Sequence, residues 1–127
     1  MILRRVLHLT FELILALTVA SLGERGLYGQ AQYASIGGSI LDASGAVIPL
    51  VTGIRLVNED TSLEVVARGD AEGRYLIPQV LPGRYRLSVD HRGFKRLETP
   101  GIRLELNQHI RLDVTLEVGP GSEVVTV

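Results

Sequence analysis

The chain has 127 residues and a formal charge of −1 at pH 7, which is enough length for one domain of ordinary size. The near-neutral charge argues against a nucleic-acid partner, because proteins that bind the phosphate backbone carry a basic surface. Since the sequence contains no cysteine, we expect a core without disulfide bonds and no cysteine-linked lipid anchor. The 14 glycines and the absence of tryptophan are typical of a fold with many turns around an aliphatic core.

The N-terminal segment has the pattern of an export signal. A basic start is followed by an apolar run over residues 13–20 and then by small residues at which a signal peptidase could cut. We therefore predict a signal peptide over residues 1–23 and a polar linker over residues 24–34. The apolar run is too short for a membrane span of about 20 residues, so no transmembrane span is expected in the mature chain. The alternative is an amphipathic helix that belongs to the domain, which the charge of Glu12 favours.

Seven segments with β-strand patterns follow at the spacing of about 8–12 residues that is typical of a β-sandwich. In chain order they are residues 35–42, 54–58, 63–68, 74–77, 84–90, 102–106 and 110–118. The fifth alternates most strictly, so Tyr85, Leu87 and Val89 are predicted to face the core while the residues between them face solvent. Between the third and fourth segments, residues 70–73 have the composition of a type I turn closed by Gly73.

The sixth and seventh segments predict a β-hairpin with a three-residue loop at 107–109. In this register Leu104 faces Leu112 on the core side, and a shift by one residue would invert every side chain. Oppositely charged residues then face each other on the solvent side, namely Glu105 with Arg111 and Arg103 with Asp113. A two-residue loop would instead place Glu105 opposite Ile110, so the pattern favours the longer loop.

Residues 119–127 are predicted to form a C-terminal extended segment. Glycine and proline at 119–121 end the preceding strand, and an apolar run follows. Folded proteins usually cover an unpaired apolar strand. Either this segment therefore pairs back onto the domain, or the sequence is the front part of a longer protein. The edge near residues 124–127 is a candidate surface for adding a strand to a partner.

Four motifs resemble those of carboxypeptidase regulatory-like domains in their order and spacing. They are the strand, Asp, turn and Pro of residues 38–49, Asp-Ala-Glu-Gly-Arg-Tyr at 70–75, Leu-Pro-Gly-Arg-Tyr-Arg-Leu at 81–87 and Gly-Phe at 93–94. The resemblance covers residues 35–118 and implies an all-β, seven-stranded antiparallel Greek-key sandwich of the transthyretin (prealbumin) type. The chain departs from the usual pattern after Pro49, where Leu50 replaces a glycine, and this departure predicts a bulge at the start of the second strand.

The stretch from 102 to 127 further resembles the subgroup in which this domain follows the signal peptide of TonB-dependent outer-membrane receptors. The resemblance implies an exported, non-catalytic accessory module of the periplasm or outer membrane that serves binding or positioning. Its partner would be another protein or a receptor domain of the cell envelope. The alternative is a free-standing secreted module that binds a carbohydrate or a cell-surface protein, although Tyr85 is expected to face the core rather than to offer a platform for a sugar.

No pattern in the sequence predicts catalysis, a cofactor or a metal site. Calcium takes about six to eight oxygen ligands, and residues 70–73 offer two carboxylates. His91 and His109 lack further ligands at a spacing that would complete a zinc site, and both are expected to be solvated at strand ends. The sequence has no Gly-x-Ser-x-Gly nucleophile motif and no phosphate-binding glycine loop. We therefore expect a protein that is not an enzyme.

The candidate partner-binding loop contains Arg92, Phe94, Lys95 and Arg96, which place three cations around an aromatic ring. Loops at the end of a sandwich commonly carry binding functions. The alternative is structural, with Phe94 packed against the end of the core and the charges left in solvent.

Overall fold

The computed structural model describes residues 2–21 and 32–127, and the chain divides into two units at residue 32. The first unit contains the helix α1 (Ile2–Ser21). Leucine and alanine, which have high helix propensity, are frequent in it, and the Thr10 hydroxyl donates to the Val6 carbonyl one turn earlier. Within the described residues, no helix is both long and apolar enough to cross a membrane.

The predicted signal peptide coincides with α1 over most of its length, and its removal stays a prediction. The end of that peptide and most of the predicted linker, residues 22–31, lie outside the described residues. The linker was expected to reach residue 34, but Ala34 is buried and begins the first strand. The sandwich therefore starts one residue earlier than expected.

The second unit contains nine strands among its described residues. They are β1 (Ala34–Asp42), β2 (Gly53–Asn58), β3 (Glu64–Ala67), β4 (Arg74–Val80), β5 (Gly83–Asp90), β6 (Arg96–Leu104), β7 (His109–Arg111), β8 (Val114–Leu116) and β9 (Val124–Thr126). One sheet has the order β4-β1-β7, with β8 also paired to β1, and the other has the order β3-β2-β5-β6-β9.

Both sheets are mixed. β7 and β8 run parallel to β1, and β9 runs parallel to β6, whereas the remaining pairs are antiparallel. The expectation of seven strands in a wholly antiparallel Greek-key arrangement was therefore wrong in strand number and in these three pairings. The expectation of an all-β sandwich is confirmed.

One cluster of buried apolar side chains contains residues of both sheets, so the sheets share a single core. Ile36 of β1, Leu56 of β2 and Leu87 of β5 have no exposed surface. The alternation predicted for β5 is confirmed, because Tyr85, Leu87 and Val89 are all buried. Each such aliphatic side chain contributes about 1.5–3 kcal/mol relative to an exposed position.

The predicted hairpin of the sixth and seventh strands is not formed. β6 pairs with β5 and β9, whereas residues 105–108 cross to the other sheet, where β7 and β8 pair with β1. The side chains of Leu104, Val114 and Leu116 nevertheless face inwards and are buried. Since both sheets bury one face against the same core, alternation determines which residues face inwards but not which strand is the partner.

The predicted charge pairs were wrong for the same reason. Arg111 pairs with Asp113 two residues further along, with 3.3 Å between Nε and Oδ1. Arg103 lies opposite Arg84 of β5, not opposite Asp113.

Leu112 and Asp113 separate β7 from β8 and are fixed by bonds to the neighbouring strands. The Tyr75 hydroxyl donates to the Leu112 carbonyl at 2.6 Å, and the Ser39 amide donates to Asp113 Oδ1 at 2.8 Å. Gly38 approaches so closely that a Cβ there would lie 2.2 Å from the Leu112 carbonyl oxygen. A side chain at position 38 would therefore displace this part of the chain.

The predicted bulge at the start of the second strand is absent, because β2 pairs with β5 in continuous register. Leu50 instead adopts a left-handed backbone conformation, with φ of 57°. Its amide donates to the Asp70 carbonyl at 3.0 Å, and the Gly69 amide donates to the Val51 carbonyl at 2.7 Å. These bonds tie the loop before β2 to the turn at residues 70–73.

The C-terminal segment pairs back onto the domain through β9. The Arg96 amide donates to the Glu123 carbonyl and the Val127 amide to the Glu98 carbonyl, both at 3.0 Å. Val125 packs against the core. β9 is the last strand of its sheet, and its outer edge has no partner among the described residues.

Candidate functional site

The four residues of the predicted partner-binding surface lie in the loop between β5 and β6 and at the start of β6, which begins at Arg96. A turn forms where the Phe94 amide donates to the His91 carbonyl at 3.0 Å. Phe94 packs partly buried against the core, and its ring lies 5.8 Å from the ring of His91 between centroids. Phe94 is therefore a support for the loop, as the structural alternative expected.

Two of the three cations of this surface are paired with carboxylates. Lys95 Nζ lies 3.2 Å from Glu123 Oε2 and 3.6 Å from Glu117 Oε2, and its side chain is 28% exposed. The hydrogen bond and charge of Glu123, and then Glu117, raise the pKa of Lys95. Arg96 Nη2 lies 3.4 Å from Asp90 Oδ2. The structure thus brings the predicted residues together but neutralises much of their charge.

Arg92 is exposed and has no ion pair within the described ranges 2–21 and 32–127. It borders a cleft of about 490 Å³ beside the loop. The cleft is lined by Thr52, Gly53, Arg55, Ser88, Asp90, His91, Arg92 and Arg96. Arg55 pairs with Glu64 and Arg96 with Asp90, so Arg92 is the cation best placed to meet an anionic group of a partner. The function of this loop in partner binding stays a prediction.

A larger concavity, of about 660 Å³, lies on the outer face of the sheet around β1, and we name it the β1 trough. It is lined by Ser35, Gly37, Gly38, Ser39, Arg68, Asp70, Arg74, Tyr75, Leu76, His109, Ile110 and Arg111. Gly37 and Gly38 leave the centre of β1 without side chains, while longer side chains of β4 and β7 form the walls. The sequence reasoning missed this trough, although two adjacent glycines within a strand pattern are a signal of close approach or of a depression.

The walls of the β1 trough carry three arginines, two of them in exposed ion pairs. Arg74 Nε lies 3.6 Å from Asp70 Oδ2, and Arg111 Nε lies 3.3 Å from Asp113 Oδ1. Hydrogen bonds from the backbone of Arg74 and Glu72 hold the pKa of Asp70 below its usual value. The Ser39 amide and then Arg111 lower the pKa of Asp113 in the same way. Both carboxylates therefore stay ionised at neutral pH and screen the cations.

Within the described part of the chain, one hydroxyl contacts an imidazole, and this contact joins Ser35 Oγ to His109 Nδ1. A nucleophilic site needs a base that is itself oriented by a third group. No carboxylate within the described residues lies at hydrogen-bonding or ion-pairing distance from His109. The pair therefore joins β1 to β7 and lacks the third element of a catalytic arrangement.

The turn at residues 70–73 holds no metal-binding geometry. Asp70 Oδ1 accepts the amides of Glu72 at 3.0 Å and Arg74 at 2.8 Å, and Gly73 closes the turn with φ of 74°. No group of three or more His, Asp or Glu side chains that could hold a metal ion occurs among residues 2–21 and 32–127. The carboxylate is engaged in fixing the turn.

The mixed β-sandwich and the motifs at its turns agree with a comparison to known families. The sequence profile of the carboxypeptidase regulatory-like domain matches residues 35–117. The chain belongs to the carboxypeptidase regulatory-like domain family. This confirms the resemblance drawn from the four motifs.

A curated relative is the TonB-dependent transporter Oar of Myxococcus xanthus, which is 35% identical over 109 residues. The match covers 80% of this chain and 10% of the transporter, so the chain spans about a tenth of that relative's length. The relationship to TonB-dependent transporters that the sequence predicted is thereby supported.

Two solved structures share the β-sandwich fold with this chain. A proposed carbohydrate-binding protein from Bacteroides uniformis superposes with a TM-score of 0.54 at 19% identity, covering 68% of this chain and 42% of that protein. The minor pilin GBS52 of Streptococcus agalactiae gives a TM-score of 0.53 at 11% identity, covering 70% and 46%. At these identities the likeness shows a shared β-sandwich fold alone.

Proposed function

We propose that this chain is a non-catalytic, exported accessory domain of a TonB-dependent transporter system. It acts in the periplasm or at the outer membrane, where it binds or positions a protein partner or another domain of the transporter. The proposal gives the sandwich a scaffold function, in which loops and strand edges make the contacts.

One observation carries this proposal. A transporter shares 35% identity with most of this chain, yet the shared segment is a tenth of the transporter. Such a pattern is typical of a module appended to a larger protein. The similarity extends across 80% of the chain, so it involves most of the sandwich and not one motif.

Two surfaces of the sandwich are suited to the contact. The outer edge of β9 has unpaired backbone groups in the described part of the chain and carries Val124 half exposed. Arg92 projects from the neighbouring loop without an ion pair in that same part. β9 pairs directly with Arg96 of β6, so the edge and the loop lie side by side. A partner strand could add to β9 while an acidic residue meets Arg92.

The first test is to sequence the native gene through and beyond codon 127. We expect an open reading frame that continues into the remainder of a transporter. A stop codon at that position would contradict the accessory-domain proposal. It would leave the alternative of a free-standing secreted module that binds a carbohydrate or a cell-surface protein.

A second test addresses export and contact in the native cell. A photo-crosslinking amino acid is placed at Arg92 or Thr126, and at Arg86 as a matched exposed control on β5. We expect cross-links to an envelope protein, or to another part of the same transporter, from the first two positions only. Recovery of the chain in the cytoplasm with residues 1–23 intact, or equal cross-linking from Arg86, would contradict the proposal.

The carbohydrate-binding alternative has less support on this surface. Sugar-binding modules stack rings on exposed aromatic platforms, but Tyr75 and Tyr85 are buried in strands. Their hydroxyls donate to the carbonyls of Leu112 and Leu81 and so serve the fold. Tyr33, just before β1, is the most exposed tyrosine of the described residues.

A further inference from the structure

β3 is the edge strand of the five-stranded sheet and exposes apolar residues on both faces. It pairs with β2 on one side, and no strand pairs with its other side in the described part of the chain. Val65 is 41% exposed and Val66 62%. An open apolar edge of this kind is a template for pairing with another strand.

The direction of the backbone groups along this edge follows from one hydrogen bond. The Asn58 amide of β2 donates to the Leu63 carbonyl at 2.8 Å. Bonded residues alternate in an antiparallel pair, so the odd-numbered residues of β3 direct their N–H and C=O groups towards β2. Glu64 and Val66 consequently direct theirs away from the sheet. The same alternation places the outward groups of Arg68 on this edge, since it directly follows β3.

This edge is complementary to a second copy of itself. In an antiparallel pair, Val66 can lie opposite Val66 of the second copy. The residues whose N–H and C=O groups point away from β2 then lie opposite one another in the two copies and can exchange hydrogen bonds. The same register places Glu64 opposite Arg68 of the second copy, and it does so twice by symmetry. A register shifted by one residue would place backbone groups that point away from β2 opposite groups of the second copy that point towards its own β2. A register shifted by two residues would separate both pairs of Glu64 and Arg68.

The charges at the edge are available for this pairing. Arg68 is exposed and makes no ion pair among the residues that the structure describes. Glu64 Oε1 lies 3.3 Å from Arg55 Nε of the adjacent strand, in a pair that is exposed on both sides. In the dimer Glu64 would lie between two guanidinium groups, one from each copy. On the other face of the sheet, Ala67 of the second copy would cover Val65.

Two of the other edges are less suited to self-pairing. β4, the edge of the first sheet, contains Pro78, which has no amide hydrogen, and Gln79 with φ of 55°. Both features interrupt a regular row of donors and acceptors. β9 has three residues and no pair of opposite charges that would match itself in antiparallel register.

We propose that residues 63–68 pair two copies of this chain into an antiparallel dimer, joining two five-stranded sheets into one of ten strands. The proposal does not depend on the transporter assignment, because it rests on the edge of β3 alone. It predicts a symmetric interface with Val66 on the two-fold axis and two interchain pairs between Glu64 and Arg68.

Charge reversal with complementation tests the proposal on the chain as it is recovered after export. Arg68→Glu places like charges opposite each other at both pairs, and Glu64→Arg does the same with the opposite sign. Each variant should weaken dimerisation about tenfold or more. An equimolar mixture of the two should restore a dimer, because each Arg then faces a Glu. Sedimentation velocity over a concentration series measures both effects, and Arg86→Glu is the matched control at an exposed arginine of β5.

Val66→Pro gives a separate readout. Proline at this position removes an amide that points away from the sheet and leaves the bonds to β2 intact, so the fold should persist by circular dichroism while the dimer is lost. A wild-type chain that stays monomeric at about 1 mM overturns the proposal, since even a weak complex is populated there. Equal weakening by Arg86→Glu, or a mixture that stays monomeric, overturns it as well.

Discussion

β5 and the segment that contains β7 and β8 carry the same apolar alternation but relate to the fold in different ways. β5 is a central strand with antiparallel neighbours on both sides, β2 and β6. β7 and β8 lie at the side of the other sheet and run parallel to β1. The sequence predicted the inward residues of β5 and, in the second segment, those of β8, but Val118 is exposed and the predicted partner of that segment was wrong. Alternation is therefore local information, whereas strand pairing depends on contacts between distant residues.

The largest expected effect lies in β5. Leu87 has no exposed surface, so Leu87→Ala should lower the free energy of unfolding by about 2–5 kcal/mol. Leu112, between β7 and β8, is half-buried at the margin of the core, and Leu112→Ala should cost roughly half as much. Urea denaturation of both variants measures the difference. Equal losses would show that the margin is packed as tightly as the centre.

Gly38→Ala tests what holds the segment of β7 and β8 beside β1. The added Cβ would lie 2.2 Å from the Leu112 carbonyl oxygen, which is backbone and cannot rotate away. We expect a loss of about 1–3 kcal/mol from this overpacking. Gly121→Ala is the matched control, since the nearest atom there is 3.7 Å from the added Cβ. A Gly38→Ala protein as stable as the control would mean that β7 and β8 are not held where the geometry places them.

The sequence predicted the parts of the molecule that depend on local patterns. Family membership, the inward residues of β5 and the turn closed by Gly73 follow from motifs a few residues long. The pairing of β7 with β1 does not follow from a local motif. The position of β7 depends on Gly38 and on the hydroxyl of Tyr75, both more than thirty residues away in the chain.

The candidate partner-binding loop likewise combines a feature that the sequence predicted with contacts that it could not predict. Its composition predicted a basic surface around Phe94, and the four residues do lie together. The sequence could not show that Glu117 and Glu123 neutralise Lys95, because both carboxylates come from the segment between β8 and β9, more than twenty residues further along the chain. The β1 trough escaped prediction for a related reason, since its lining comes from β1, β4, β7 and the connection between β3 and β4, which are brought together only in the folded protein.

The two buried tyrosines allow a local contact to be compared with a distant one, and the expected loss of stability is intermediate in size. Tyr85→Phe removes a bond to Leu81, four residues earlier, and Tyr75→Phe removes a bond to Leu112, across the sheet. Each variant should lose about 0.5–1.5 kcal/mol of stability, because a part-buried hydrogen bond is removed. Amide hydrogen exchange separates them: Tyr75→Phe should accelerate exchange in β7 and at Leu112, and Tyr85→Phe should not. Identical exchange patterns in β7 would argue against the bridging function of Tyr75.

The smallest expected effect is a gain in stability at Leu50. This residue stands where the family pattern has glycine, and the bulge that this departure predicted is absent. A leucine with φ of 57° is strained by about 1–2 kcal/mol relative to glycine. Leu50→Gly relieves that strain but adds about 0.5–1 kcal/mol of unfolded-state entropy, and the exposed side chain makes little packing contribution. A net stabilisation of about 0.5–1 kcal/mol by urea denaturation is therefore expected. Leu50→Ala removes the side chain and keeps the strain, so it should leave stability unchanged. If Leu50→Ala stabilised the protein as much as Leu50→Gly or more, relief of the left-handed backbone conformation would not explain the gain from glycine at this position.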